Sequence, residues 1–526
     1  MLAKTLTALV GLGTASLVFA ADPYPITGAP VPQNAPGVPL RMNINDLQAA
    51  GGPQWDLYLR ALSDMQSVNY HDTLSYFQIS GIHGRPYIEW NNTGGPAYDD
   101  WGGYCPHGEQ LFLSWHRPYV LLFEQVLVSH ARRIAQTYPP RYRQQYIRAA
   151  ESLRSPYWDW AAGSGVPSAT VPARVTVNYP NGQGLQRRQI DNPLSTFKLP
   201  QAVLGGEYGT FDTDDRPRIL HCPAPGSYPA SANSLMAQRP YRQWVYDVFT
   251  RATNFSDFAT QSNTIVSLEV IHNSIHWDAA CGQQFVMPDL AGFDPLFMLH
   301  HSNVDRLWSY WQALRPDQAI FSEPYAGASR FTTPSGTIIT PRSPLEPFFA
   351  RGRLEYWAKS EEQMRQDTTR LINSLYAPNA GALQRRQPQQ SRRRYFARIR
   401  FDRAHVPKPC QIEVYVRGQH ASSIVVAAQP ARGSMSAGLP LDKIVQAAEV
   451  KAMSNDATAG LLQSDLTVKI VKLDGSSVDS VPSLEVKLED VQITPSANRD
   501  EFPKYGPSKL WRIDARAALQ GGESKS

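Results

Sequence analysis

A chain of 526 residues exceeds what one hydrophobic core usually holds, so two domains are expected. A hydrophobic fraction of 42% with 10% aromatic residues suits a globular protein with a large buried core. The net charge of +5 is not gathered into an aromatic-interleaved basic patch, which argues against a nucleic-acid partner, and four cysteines are too few and too scattered for a disulfide scaffold.

The first element reads as a leader. Lys4 precedes the apolar run Leu6 to Phe19, and Val18-Phe19-Ala20 offers a signal peptidase its small or apolar positions, so residues 1–20 are expected to be removed. No other stretch reaches about 18 apolar residues, so no membrane span is expected and the mature chain reads as secreted. The sequons Asn91-Asn92-Thr93 and Asn254-Phe255-Ser256 are compatible with that route. Pro and Gly make Pro23 to Pro39 an extended wrap. From Gln54 to Met65 the residues Trp55, Leu57, Tyr58, Leu62 and Met65 recur at helical spacing.

Three histidines follow, each among aromatic residues: His83 in Gly81-Ile82-His83-Gly84, His107 in Tyr104-Cys105-Pro106-His107, and His116 in Trp115-His116-Arg117-Pro118-Tyr119. Trp115 to Tyr138 is expected to be a helix burying Tyr119, Leu122, Phe123, Val126 and Leu127, with His130 on its solvated side. Residues 163–238 are rich in Pro, Gly, Ser and Asn and read as a long irregular excursion. His221 inside it has no histidine at ligand spacing and gets no metal role, and a bond between Cys222 and Cys281 stays open. Tyr241 to Ala259 and Thr264 to Trp277 are then expected helices, with another after Asp294-Pro295.

His272 and His276 stand four apart, so on a helix both imidazoles leave one face and reach one metal. His300-His301 supplies a third ring from the next helix. With His83, His107 and His116 this makes two all-imidazole triads, a donor set that fits a pair of redox metals and points to copper rather than a mixed-ligand zinc site. Helices from four places, each presenting histidine inward, form a four-helix bundle around the centre. The bundle should close near Asn373 to Pro378. Gln384 to Arg394 is a basic linker with dibasic processing sites at Arg385-Arg386 and Arg392-Arg393-Arg394, and Leu185-Gln186-Arg187-Arg188-Gln189 repeats its first part. From Tyr395 the period changes to two at 395–401, 411–416, 466–471 and 484–488, which marks a smaller β-rich, sandwich-like domain where His405 and His420 are structural.

These motifs, G-I-H-G-R-P-Y, Y-C-P-H, W-H-R-P-Y, L-E-V-I-H-N-S-I-H-W and F-D-P-L-F-M-L-H-H-S-N-V-D-R, resemble those of fungal tyrosinases, polyphenol oxidases of the type 3 copper family, over nearly the whole chain. The resemblance implies a mainly α dicopper core at 21–380, a linker at 381–394 and a C-terminal shielding domain at 395–526. It implies two copper ions, one held by His83, His107 and His116 and the other by His272, His276 and His301, with O2 as co-substrate. His300 is left beside them without a ligand role. It also implies a thioether between Cys105 and His107. A phenol has a pKa of about 10, so binding it as phenolate needs a base. In similar enzymes the equivalents of Glu269 and Asn273 hold the water that takes this proton. Phe297 matches an aromatic gate, and Trp277 either narrows the mouth or simply packs. Asp305, one turn after His301, is expected to orient an imidazole, with Arg306 as its counter-charge. The implied activity is o-hydroxylation of monophenols and oxidation of o-diphenols to quinones by a latent, secreted enzyme that a protease releases. The rivals are a catechol oxidase, a phenol oxidase of one secondary-metabolite or pigment pathway, and a haemocyanin-like O2 carrier, which the leader and linker disfavour. The oligomeric state stays open.

Overall fold

The computed structural model describes residues 23–32, 37–96, 101–163, 165–261, 264–349, 361–378, 391–496 and 498–514. The leader at 1–20 and the Arg385-Arg386 pair lie outside them. Four helices organise the larger part: α1 (Gly52–Ser67), α2 (Leu111–Ala135), α3 (Leu268–Asp278) and α4 (Leu296–Leu314). Their starts follow local chemistry. Pro53 sits in the first turn of α1, Pro295 immediately precedes α4, and the Ser267 hydroxyl caps α3 by accepting from Val270 N–H. Every residue of α3 is buried, so this helix is packed on all sides.

α2 begins a turn before the expected Trp115, which places Pro118 inside the helix and leaves the Ser114 carbonyl without its usual donor. Its end at Ala135 falls short of Tyr138, before Pro139-Pro140. α2 packs on α1 and α4. His130 is not free in solvent; it pairs with Asp64 of α1.

Only three of the four helices carry candidate ligands: His116 is on α2, His272 and His276 on α3, and His300 and His301 on α4. α1 carries no histidine. His83 follows the short helix Tyr76–Gly81, and His107 lies on a loop, because Pro106 pushes the residue before it out of helical geometry. The expected helix at 241–259 is broken into Tyr241–Arg251 and Phe255–Ala259 by a new cap at Asn254.

The excursion at 163–238 is not wholly irregular. It contains an antiparallel hairpin, β1 (Arg174–Asn181) with β2 (Gly184–Asp191), so Arg187-Arg188 sits on a paired strand rather than in an open loop. Cys222 and Cys281 form a disulfide.

The smaller part has β3 (Arg392–Asp402), β4 (Cys410–Val416), β5 (Gln419–Val426), β6 (Ser434–Pro440), β7 (Leu466–Lys472), β8 (Glu485–Thr494) and β9 (Lys504–Ile513). They form two antiparallel sheets, ordered β9-β8-β3-β6 and β5-β4-β7. Period two shows in β4, where Cys410, Ile412, Val414 and Val416 are buried and the residues between them are not. β5, β6 and β9 escape the sequence because of the buried Ser422-Ser423, the Gly and Pro of β6, and the exposed Lys-rich face of β9. β3 already begins at Arg392, so Arg392-Arg393-Arg394 belongs to the sheet and not to the expected linker. No helix among the described residues is long and apolar enough to cross a membrane.

Candidate metal centre

Six imidazoles meet at the centre of the helical part, each 6% exposed or less. His83, His107 and His116 surround one point, their ring centroids 5.2, 5.6 and 5.7 Å apart. His272, His276 and His301 surround another. The two sets abut, with the His116 and His301 rings stacked at 4.4 Å.

Hydrogen bonds fix which nitrogen faces inward on four of the six rings, those of His83, His116, His272 and His276. His83 Nδ1 lies 2.9 Å from the Pro288 carbonyl, His116 Nδ1 2.7 Å from Phe112 O, and His276 Nδ1 2.6 Å from Phe285 O. A carbonyl only accepts, so each Nδ1 carries the proton and each Nε2 presents a lone pair. His272 does the same through the Asn273 Oδ1 at 3.0 Å. Burial, the largest cause, holds these rings below their ordinary pKa, to about 4 for His83 and about 3 for His276, and well below it for His272 and His116.

This arrangement tests whether a metal fits. His276 Nε2 and His272 Nε2 stand 3.0 Å apart, both rings neutral with their protons on the far side. His301 Nε2 is 3.2 Å from His272 Nε2. Two lone pairs at that distance with no proton between them repel unless a cation sits there. The His83 and His116 Nε2 atoms are likewise buried without a partner among the described residues. Neutral nitrogen donors in two adjacent groups of three fit two copper ions. Cys105 lies close enough to His83 and His107 to join the first group, but its thiol donates to the His83 carbonyl at 3.0 Å and burial pushes it well above its ordinary pKa, so it stays protonated. Its sulfur is 3.4 Å from His107 Nδ1.

Glu269 and Asn273, one turn apart on α3, are both buried. Glu269 Oε1 accepts from Gly108 N–H at 2.6 Å and from Gln261 Nε2 at 2.7 Å, while Oε2 and Asn273 Nδ2 have no partner among the described residues. Burial pushes the Glu269 carboxyl up to about 8, opposed by those hydrogen bonds and by the charge of Arg403. Phe297 is fully buried between the rings of His301 and His83, at 4.2 and 4.8 Å.

Two expectations fail. Asp305 does not orient an imidazole: its oxygens accept from Arg41 and Arg117, which ties α4 to α2 and to the stretch that precedes α1. Arg306 is not its counter-charge, since it donates to Asp159 at 2.9 Å and to Tyr376 Oη at 3.1 Å. On a helix the fourth residue along shares a face, but that face is wide enough for Asp305 to find arginines at the rim instead of a ring. Trp277 packs against Val286 and Val425, the latter from β5. His300 stacks 4.8 Å from His272, and Trp160 Nε1 donates to its Nδ1. His221 pairs with Asp294 at 2.8 Å, away from both triads. Asn91, the acceptor of one sequon, spends its side-chain N–H on the carbonyls of Tyr24 and Pro347.

The sequence reading missed Phe112, 4.8 Å from both His116 and His272, although it stands one turn before His116 on α2. It also missed the Pro288 and Phe285 carbonyls, which no side-chain pattern reveals. The resemblance implied a covering domain but not its contacts: β5 runs beside α3, and Pro430 stands where a Cβ on Gly108 would come within 2.6 Å of it.

Residues 73–314 match the model of the common central domain of tyrosinase. The chain is 35% identical over 377 residues to a tyrosinase of Podospora anserina, covering 67% of this chain and 64% of that one. It is 33% identical over 379 residues to a tyrosinase of Neurospora crassa, covering 66% and 53%. The matched stretch thus spans less than two thirds of either relative. Among solved structures, recombinant mushroom tyrosinase superposes with a TM-score of 0.78 at 21% identity, covering 93% of this chain and 98% of that one, which is a likeness of fold.

Proposed function

The chain belongs to the tyrosinase family, and from that premise we propose that it is a copper-dependent polyphenol oxidase acting on small phenols with O2. The observation that carries this reading is the opposed pair of neutral Nε2 lone pairs on His272 and His276, beside a second set of three buried rings. His83, His107 and His116 would hold one copper and His272, His276 and His301 the other. Copper held there would supply the redox chemistry between the phenol and O2. One O2 converts a monophenol to an o-quinone and one water, or two o-diphenols to two quinones and two waters, so atoms and electrons balance without a further reductant.

The residues around the metals do the rest. Glu269 Oε2 and Asn273 Nδ2, an acceptor and a donor with no partner among the described residues, suit a water that takes the phenol proton. Phe297 excludes water from the rings it packs on and offers a face for an aromatic substrate. The backbone carbonyls of Pro288, Phe112 and Phe285 keep three rings in the ligating tautomer. The β-rich part, with Val425 on Trp277 and Pro430 on Gly108, is the shield of a latent form that cleavage in the linker releases. Secretion after loss of residues 1–20 fits this picture of an enzyme activated outside the cell.

The test is product analysis on copper-loaded protein before and after cleavage, with tyrosine, a simple monophenol and a catechol. Quinones from both classes after cleavage are expected. A copper content below two per chain, or no quinone from any substrate, removes the proposal. Quinone from the catechol alone selects the diphenol-only enzyme.

A further inference from the structure

Gln261 belongs to neither triad and is 1% exposed. Its side-chain Nε2 donates to Glu269 Oε1 at 2.7 Å, and its Oε1 accepts from Arg403 Nη1 at 2.5 Å. Its backbone carbonyl accepts from Ser436 N–H of β6 at 3.0 Å. An amide can present either end to a neighbour, but a guanidinium only donates, so Arg403 dictates that the oxygen faces it and the NH2 faces Glu269. Arg403 lies in the β-rich part, just after β3. Its remaining N–H groups hold the carbonyls of Ala427, Gln429 and Pro430 at 2.6, 2.9 and 2.8 Å. Those residues are the loop that brings Pro430 onto Gly108, and Gly108 N–H is the second donor to Glu269 Oε1. The hydrogen bonds of Arg403 thus go to uncharged acceptors, and Glu269 is the carboxylate whose field reaches it.

We propose that Gln261 is a positioning residue that ties Glu269 to the β-rich part through Arg403, so that the cover is latched at the same carboxylate that serves the phenol. The inference rests on the proposed function, in which Glu269 faces the substrate and the β-rich part shields the site. Arg403 by itself is also explained as a brace for its own loop. Gln261 is not: it comes from the helical part, and its side chain spends one end on Glu269 of α3 and the other on Arg403 across the boundary. Replacing it leaves every bond between Arg403 and residues 427–430 in place, so an effect of Gln261→Leu reports the link and not the fold of the smaller part.

The experiment uses the uncut full-length protein. Losing one charge-assisted bond and its partner shifts a closed-to-open balance by about tenfold or more. Copper-loaded, uncut Gln261→Leu is therefore expected to oxidise catechol at least about tenfold faster than uncut wild type. In copper-free protein, the Gly108 amide of the variant is expected to exchange with solvent deuterium faster by a similar factor. Arg403→Met should do both, and it serves as the second variant if Gln261→Leu does not fold. Wild-type values for turnover and for exchange in both folded variants overturn the latch. If cleaved wild type is active while the uncut variants stay silent, the latch alone fails. If cleaved wild type is silent too, the functional reading falls and the latch with it.

Discussion

Trp160 Nε1 donates to His300 Nδ1 at 3.1 Å, which leaves the single proton of a neutral His300 on Nε2 and takes the ring out of the ligand set despite its place beside His272. Its neighbour His301 instead has its Nε2 3.2 Å from His272 Nε2. Replacing His301 with Ala should therefore cost about one copper per chain, whereas His300→Phe should keep both and lose only the stability of one buried hydrogen bond, about 1–3 kcal/mol. Elemental analysis of loaded protein decides it, and the opposite pattern exchanges the two roles.

Glu269 is fully buried with one oxygen unpartnered among the described residues, and a glutamine oxygen would accept from Gly108 N–H as its Oε1 does. Glu269→Gln should hold copper and still oxidise catechol, while monophenol turnover falls about 10²–10⁴-fold. Steady-state rates on both substrates at equal copper occupancy give the answer. An equal loss on both would make Glu269 a structural residue.

Cys105 holds its sulfur 3.4 Å from the His107 ring. Joining the sulfur to a ring carbon removes one hydrogen from each, and the two protons and two electrons would leave with O2 as hydrogen peroxide. In copper-loaded, aerated protein the peptide carrying both residues should be about two hydrogen masses lighter than its sequence and should resist thiol alkylation. An alkylatable Cys105 rules the crosslink out.

Arg394 is buried, with its guanidinium donating to both oxygens of Asp247 at 2.6 and 2.9 Å and to Asp442. A protease acting at Arg392-Arg393-Arg394 would have to unpair β3 first, so dibasic cleavage is expected at Arg385-Arg386. Terminal sequencing of the fragments made under native conditions checks this. Prior cutting within 392–394 would contradict the role of Arg394 as part of the sheet.

Glu489 of β8 accepts from Arg251 of the helical part at 3.0 Å and from Arg398 at 2.7 Å. Burial pushes its pKa up, yet the two arginines more than offset this and hold it below the ordinary value. For a carboxylate depressed in the folded state, the contribution is present above its unfolded pKa of about 4.5 and is lost as pH falls through the folded value. The two parts should then stay docked down to about pH 4.5 and loosen below it, more so than in Glu489→Gln. Thermal melts of the uncut protein from pH 7 to pH 3 measure the difference; identical pH curves for both proteins would remove Glu489 from the interface balance.

The residues that meet at the centre were legible in the sequence because their signals are local. His272 and His276 share a face by spacing alone, the Asp294-Pro295 break starts α4, and alternation marks β4. Where partners are distant, no local pattern reaches them. The carbonyl that fixes the His83 tautomer comes from Pro288, 205 residues away, and it is a backbone group whose identity any residue could supply. Asp305 looked like a partner for an imidazole because it lies one turn from His301, but only packing decides that Arg41 and Arg117 reach it first. Gln261 carries no motif at all. It becomes visible once the β-rich part has folded back onto α3 and brought Arg403 to one end of its amide and Glu269 to the other, a convergence set by long-range burial and not by neighbours along the chain.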